Sequence, residues 1–322
     1  MSTPVASSHD RLSEAYACCE RLAGEHYENF PVASRLLPAA MRPHIAAIYA
    51  FARRADDFAD EPGRDAAERL RLLDAWSERL GGGYRGQTPA PTYGGQTPGD
   101  DLIFCALENT IREHGLPRSL FGDLLSAFRQ DVGTTRYATW AEVLDYCRRS
   151  ANPIGRLVLR VAGCDDPRVD VQSDAVCTAL QLTNFWQDLA VDWTRGRLYV
   201  PLEDRDRAGA RDADLDAARM TPEWQAALRT VALRTRDLFD AGRPVCDAVR
   251  GRLRWELRLT WLGGSCILDK LDAIAFDVFR HRPALAAADA PALLWHAVRW
   301  RRRSGDVDLR LKPGSAEGHG SR

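Results

Sequence analysis

Two clusters of oxygen-bearing side chains stand out in this 322-residue chain. The first is Arg53-Arg54-Ala55-Asp56-Asp57-Phe58-Ala59-Asp60-Glu61, and the second is Asn184-Phe185-Trp186-Gln187-Asp188-Leu189-Ala190-Val191-Asp192. On an α-helix, positions four apart lie about 40° apart around the axis and about 6 Å along it. Asp56 and Asp60 therefore share a face, with Arg53 one turn and Tyr49 two turns earlier. Asn184, Asp188 and Asp192 fall at i, i+4 and i+8, a stripe of hard oxygen donors. Oxygen ligands without Cys or His favour Mg²⁺ or Ca²⁺ over zinc, and the sequence has no EF-hand loop. Mg²⁺ is commonly held by one or two carboxylates and completed by phosphate oxygens. Arg53 and Arg54, with Arg195 and Arg197, supply cationic partners for such a phosphate. The chemistry these residues define is a Mg²⁺–diphosphate clamp between two helices.

An acidic run on a helix is ordinarily a solvated face. Three features oppose that reading here. Each cluster lies near the end of its helix, before Pro62-Gly63 and before Gly196, where the macrodipole disfavours anions. Like charges at i, i+4 repel by a few tenths of a kcal/mol per pair. The second stripe is also embedded among Leu180, Leu182, Phe185, Trp186 and Val191.

The elements that must position these residues are helical almost throughout, and alternating β-type runs are scarce. Periodicity predicts helices over 13–26, 42–61, 64–80, 101–114, 117–132, 140–149, 153–163, 170–193, 221–241, 242–255, 257–279 and 289–303. Residues 1–12 form a flexible N-terminus, 13–302 one helical domain, and 303–322 a polar, disordered tail. Gly81 to Asp100 contains a small tandem repeat, Tyr84-Arg85-Gly86-Gln87-Thr88-Pro89 against Tyr93-Gly94-Gly95-Gln96-Thr97-Pro98. That composition cannot bury a core, so it reads as an exposed loop rather than a domain linker.

Bulk properties remove several function classes. Hydrophobic residues make up 45% and charged residues 28%, the balance of a soluble globular protein. A net charge of -1 gives no broad attraction to nucleic acid. The basic charge is nearly all Arg, with Lys270 and Lys312 the only lysines. Cysteines 18, 19, 105, 147, 164, 177, 246 and 266 form no C-x-x-C pair, which disfavours zinc and redox motifs. Met1 to Asp10 lacks the apolar core of a cleavable leader. Apolar stretches break well before the ~20 residues needed to span a bilayer. A reducing cytoplasm is the expected location, with peripheral contact at the inner face of the membrane left open.

The two clusters with their flanks are recognisable. Tyr49-Ala50-Phe51-Ala52-Arg53-Arg54-Ala55-Asp56-Asp57-Phe58-Ala59-Asp60 resembles the first aspartate motif of the squalene/phytoene synthase family. Gln181-Leu182-Thr183-Asn184-Phe185-Trp186-Gln187-Asp188-Leu189-Ala190-Val191-Asp192, followed by Arg195-Gly196-Arg197-Leu198-Tyr199-Val200-Pro201, resembles the second. The likeness covers roughly residues 15 to 285. It implies an all-α isoprenoid synthase bundle around a single central apolar cavity. It also implies Mg²⁺ on Asp56, Asp60, Asn184, Asp188 and Asp192. Diphosphate contacts would come from Arg53 and Tyr49, with Arg54, Arg197 and Gln181 as further candidates. Asp131 and Tyr146 match polar positions of the reaction chamber, Tyr146 at the place of a family Tyr assigned to proton or carbocation handling.

One branch of the family, the bacterial hydroxysqualene synthases, is the most similar. Its marks are Glu28-Asn29-Phe30-Pro31-Val32-Ala33-Ser34-Arg35-Leu36-Leu37-Pro38, Ser150-Ala151-Asn152-Pro153-Ile154-Gly155, Leu253-Arg254-Trp255-Glu256-Leu257-Arg258 and Asp277-Val278-Phe279-Arg280-His281-Arg282-Pro283. Two departures from condensing relatives point the same way: Asn152-Pro153 after Tyr146-Cys147, and Gly263-Gly264-Ser265-Cys266 where a Tyr commonly precedes Ile-Leu-Asp. The resemblance implies that presqualene diphosphate ionises and water quenches the rearranged cation. Asn152, Tyr146 and Asn184, in that order, are candidates to orient the water. Phe30, Ile48, Phe51, Leu157, Leu180 and Phe185 are candidates for the cavity wall, though for each one alone core packing is the favoured role. No nicotinamide fingerprint is present, so no reductive step is expected. Such an enzyme would work beside a presqualene diphosphate synthase and a squalene-forming reductase. The alternatives are a condensing synthase using farnesyl diphosphate and a non-catalytic scaffold relative; a helical nucleic-acid binder is a distant third.

Overall fold

Helix signals in this sequence are local and explicit. Pro43 and Pro167 sit in first turns, where a missing N–H costs nothing. The Asp166 carboxylate accepts from Arg168 N and the Thr139 hydroxyl from Glu142 N, satisfying donors that a helix start leaves open. The computed structural model describes residues 8–25, 36–60, 63–82 and 98–300. Within them run α1 (Ser8–Glu25), α2 (Arg42–Asp60), α3 (Ala66–Gly82), α4 (Pro98–His114), α5 (Arg118–Asp131), α6 (Trp140–Ser150), α7 (Asn152–Val161) and α8 (Pro167–Gln187). Then come α9 (Leu189–Thr194), α10 (Leu202–Ala208), α11 (Asp212–Asp216), α12 (Pro222–Gly242), α13 (Val245–Ala248), α14 (Gly251–Ala273) and, after a 3₁₀ turn, α15 (Ala290–Val298). Among the described residues the β structure is an isolated parallel bridge, Arg136 to Leu198.

Several boundaries differ from the expected ones. The first helix begins at Ser8, so 8–12 belong to the bundle. The Gly/Pro-rich passage ends before Pro98, where α4 starts, and Asp100 is buried rather than exposed because the Arg54 guanidinium pairs with it at 2.9 Å. The expected helix 170–193 is broken at Asp188, whose φ of -99° and ψ of 7° are not helical. The i, i+4 contacts nevertheless persist, since Asp188 N bonds Asn184 O and Asp192 N bonds Asp188 O, both at 2.8 Å. The expected helices 242–255 and 257–279 are redistributed into the short α13 and the long α14. Beyond α14 the chain turns through positive φ at Ala275 (50°) and Phe276 (60°), which no helix continues. The helices α10 and α11 were not anticipated. Phe30, most of the repeat passage and the 303–322 tail lie outside the described residues.

One hydrophobic cluster runs from Ala15 to Val278. Phe51, Trp76, Phe104 and Phe121 interlock at its α2–α5 end, with ring centroids 4.5 to 5.9 Å apart. A buried polar knot of Tyr16, His44 and Thr110 ties α1, α2 and α4 together. At the other end α12 crosses α8 so closely that a Cβ on Gly242 would stand 2.6 Å from Gln172 O. Between α7, α8, α14 and α15 lies a cavity of about 820 Å³, within the range of small-molecule sites. Its walls are mainly apolar, including Ile154, Leu180, Leu259, Ile267 and Leu293, and Gly263 and Gly264 leave α14 without side chains there. Of the expected wall residues, Leu180 lines this cavity, whereas Ile48, Phe51 and Leu157 are packed in the solid core.

Candidate active site

The last turn of α2 carries Asp56, Asp57 and Asp60, and the α8–α9 break carries Asn184, Asp188 and Asp192. Arg197 spans the two rows. Its guanidinium donates to both Asp60 carboxylate oxygens, at 2.5 and 3.1 Å, and its backbone N–H donates to Asp192 O at 2.8 Å. Burial and then the charge of Asp60 push the Asp56 carboxyl up to about 6. Burial and then Asp188, with a further contribution from Asp60, push Asp192 up to about 6. The rows are thus close enough to repel each other electrostatically.

Each row is also held from outside. Arg282 donates to Asp188 Oδ1 at 2.5 Å, and the Asn184 amide donates to Asp188 Oδ2 at 2.8 Å. Arg53 pairs with Asp57 at 2.9 Å and reaches Asp56 at 3.5 Å. Tyr49 lies on the same face, its phenol raised by burial and near enough to feel Arg53, Asp56 and Asp57.

Below the first row, the Tyr146 hydroxyl donates to Asp131 Oδ2 at 2.9 Å. Burial raises the Asp131 carboxyl to about 7, with Asp56 and Asp60 adding to the effect and the Tyr146 bond and Arg197 opposing it. Tyr146 itself is raised well above its ordinary value, chiefly by burial. Tyr137, Phe185 and Tyr199 close an aromatic floor around it, Phe185 and Tyr199 stacked with centroids 3.6 Å apart. The Arg136–Leu198 bridge places Tyr199 there, because Leu198 N bonds Thr135 O and Leu202 N bonds Tyr137 O.

Asn184 belongs at once to the second row and to the cavity lining, with Gln181 and Gln187 beside it on the cavity wall. Through Asn184 the second row reaches the wall of an apolar chamber, and Arg197 ties the first row to the second. Two expected site residues, Arg54 and Asn152, are placed elsewhere. Arg54 pairs with Asp100 and lies 4.7 Å over the Phe58 ring, on the α2–α4 contact. Asn152 is buried and accepts from the Thr178 hydroxyl at 2.9 Å, tying α7 to α8, while its neighbours Ser150 and Ala151 line the cavity. Arg195 stands at the exposed edge of the site, at the end of α9, where its charge still acts on Asp192. Val191, expected within an apolar surround, is 41% exposed. Two further residues join the site with no signal in local spacing: Tyr199, two residues past Arg197, and Arg282, which reaches Asp188 across 94 positions of chain.

The donor set passes a simple test for a divalent cation. Asp56, Asp60, Asp188 and Asp192 with Asn184 are hard oxygen donors, and two of these carboxyls are raised by burial and by one another. A cation between the rows would relieve both penalties.

An all-helical bundle with paired acidic rows and an apolar chamber reached from the second row defines an isoprenoid synthase architecture. The comparisons agree: the squalene/phytoene synthase family model matches residues 23–289, and the chain belongs to that family. It is 38% identical over 225 residues to the hydroxysqualene synthase of Rhodopseudomonas palustris, covering 69% of this chain and 72% of the relative. It is 35% identical over 278 residues to that of Sinorhizobium fredii, covering 84% and 87%. The crystal structure of squalene synthase HpnC from Alicyclobacillus acidocaldarius superposes with a TM-score of 0.74 at 38% identity, covering 82% of this chain and 95% of that one. A dehydrosqualene synthase shares the fold at 20% identity, with a TM-score of 0.76 over 91% of this chain and 99% of that one.

Proposed function

We propose that this chain converts presqualene diphosphate and water into hydroxysqualene and diphosphate. The observation that carries the reading is the pair of carboxylate rows spanned by Arg197, the second of which reaches through Asn184 into an apolar cavity of about 820 Å³. Identity of 35% to 39% to hydroxysqualene synthases over most of the chain favours this branch over condensing relatives.

In this reading Asp56, Asp60, Asn184, Asp188 and Asp192 hold Mg²⁺. The bound cation would supply neutralisation of the diphosphate as negative charge builds on the leaving oxygen. Arg53, Arg197 and Arg282 already neighbour these carboxylates, and they can rotate toward a diphosphate with charge-assisted hydrogen bonds. Tyr49 offers a further hydroxyl on the same face. The apolar wall around Leu180 and Ile267 keeps bulk water from the cation formed on departure of diphosphate. The stacked rings of Phe185 and Tyr199 and the Tyr146 ring offer π-faces to that charge. Asp131, raised to about 7, is poised to take the proton released when water bonds to carbon, with Tyr146 holding its carboxylate in place.

We infer a cytoplasmic enzyme, peripheral to the membrane at most, fed by a presqualene diphosphate synthase and drained by a squalene-forming reductase; among the described residues no helix is long and apolar enough to cross a membrane. The deciding assay incubates the purified protein with Mg²⁺ and either presqualene diphosphate or farnesyl diphosphate, with products identified by mass spectrometry. Hydroxysqualene from presqualene diphosphate, carrying the oxygen of labelled water, is the expected result. Consumption of farnesyl diphosphate to a C30 product would establish a condensing enzyme instead. Intact in-cell function in an Asp188→Ala variant would support a scaffold.

A further inference from the structure

The helix α15 is anchored on one side only. Lys270 on α14 bonds Ala284 O at 2.9 Å and Asp289 at 2.6 Å, Arg258 reaches Ala297 O, and Ala297 is fully buried. Its other side is apolar and open to solvent: Leu294 is 53%, Trp295 54% and Val298 65% exposed, and nearby Leu285 is 47% exposed. Isolated exposed apolar residues are normal, whereas a run at i, i+1 and i+4 on one short helix calls for a partner. Leu285, Leu293 and Leu294 also line the cavity, so the greasy surface continues from solvent into the chamber.

The surrounding charge identifies the partner. From Arg280 to Arg303 the sequence carries six arginines against the single acid Asp289, which Lys270 neutralises; Arg280 and Arg282 pair with Asp277 and Asp188, so the cationic excess is that of Arg299 and of the Arg301-Arg302-Arg303 run that follows it in the sequence. Arg299 lies 3.9 Å over the Trp295 ring, so a cation and an interfacial indole are presented together. Trp with flanking Arg is the composition that seats a surface at the level of lipid headgroups. A second copy of the chain is a poor occupant, because isologous pairing would set the same arginines against one another.

We propose that the outward face of α15, with Leu294, Trp295, Val298 and Arg299, docks on an anionic lipid bilayer. The cavity mouth then opens toward the hydrocarbon, where a water-insoluble chain can pass without crossing solvent. This placement rests on the function proposed above for the nature of the cargo, but the docking itself does not depend on it.

Flotation with vesicles tests it directly. Wild-type protein should float with phosphatidylcholine vesicles containing phosphatidylglycerol as one lipid in three, and bind pure phosphatidylcholine far less. Trp295→Gln with Val298→Gln should weaken that binding at least ~10-fold by removing the inserted apolar surface. Arg299→Glu should weaken it about fivefold or more, and added salt should do likewise. Turnover of detergent-dispersed presqualene diphosphate serves as the separate control for the proposed function, and neither variant should change it. Failure of wild-type protein to float, or unchanged flotation of the double variant, would overturn the docking face. So would a wild-type dimer in sedimentation velocity that the double variant dissolves, which would assign the face to a second copy.

Discussion

Asp60 and Asp188 each accept a close arginine and face the opposite row, so neither is replaceable by a neutral isostere without loss of charge at the diphosphate. Asp60→Asn and Asp188→Asn should each lower kcat by roughly 10²–10³-fold, measured with presqualene diphosphate at saturating Mg²⁺. The same crowding has a signature in stability. Asp56 and Asp192, raised to about 6, and Asp131, raised to about 7, hold protons in the folded state that the unfolded chain releases near its ordinary value of 3.8. Their contribution is fully present below about pH 4 and is lost as pH rises through the folded values, and solvent screening reduces it at the part-exposed Asp56. His44, lowered chiefly by burial, acts in the opposite sense within the same window as a single group against three, and Asp145, lowered chiefly by its hydrogen bond from Arg148, does so only toward still lower pH. Protein in EDTA should therefore melt at a higher temperature at pH 5 than at pH 8, and Mg²⁺ should close most of that gap. Equal melting temperatures at the two pH values would show that the rows are not under charge strain.

Close helix crossings decide where the chamber sits. A Cβ at Gly242 would meet backbone atoms, Gln172 O at 2.6 Å and Val176 N at 2.8 Å, so Gly242→Ala must push α12 away from α8. The expected cost is about 1–3 kcal/mol, read as a melting-temperature loss of several degrees. On α14 the effect of added bulk is different. A Cβ at Gly263 meets only Leu285 Cδ1, at 3.1 Å, and projects beside the cavity. Gly263→Phe should fold, with melting temperature near wild type, yet raise KM for presqualene diphosphate or abolish turnover by filling the chamber. The two glycines act differently: Gly263 leaves the cavity wall without a side chain, whereas a Cβ at Gly264 would strike Phe239 at 2.5 Å and Leu180 at 2.7 Å, so that glycine lets α8 and α12 close on α14.

The hydrophobic cluster passes without interruption from α1 to the segment beyond α14, and the acidic rows draw on both of its ends. Such a core favours one domain across 13–302, and a calorimetric scan should then give a single transition with matching van't Hoff and calorimetric enthalpies. Two resolved transitions would divide the molecule instead, most naturally between the α2–α5 end and the α8–α12–α14 end.

What the sequence by itself determined was whatever repeats within a few residues. Helical period, proline and capping signals, and the i, i+4 placement of Asp56 with Asp60 and of Asn184 with Asp188 are properties of neighbouring residues. The motif flanks carried the family because they are contiguous stretches of chain. The tertiary structure alone decided which distant groups meet. Arg197 could have served any anion until its loop was pinned to Thr135 and Tyr137, which set it on Asp60. Arg54, adjacent to Arg53 in sequence, lies about 100° away around α2 and so faces the buried Asp100 rather than the acidic rows. Asn152 was drawn into a hydrogen bond with Thr178 by the α7–α8 contact, and Arg282 was carried to Asp188 by the turn that ends α14. Periodicity encodes the face on which a residue stands, but the partner across that face depends on loop paths and helix crossings that no local window contains.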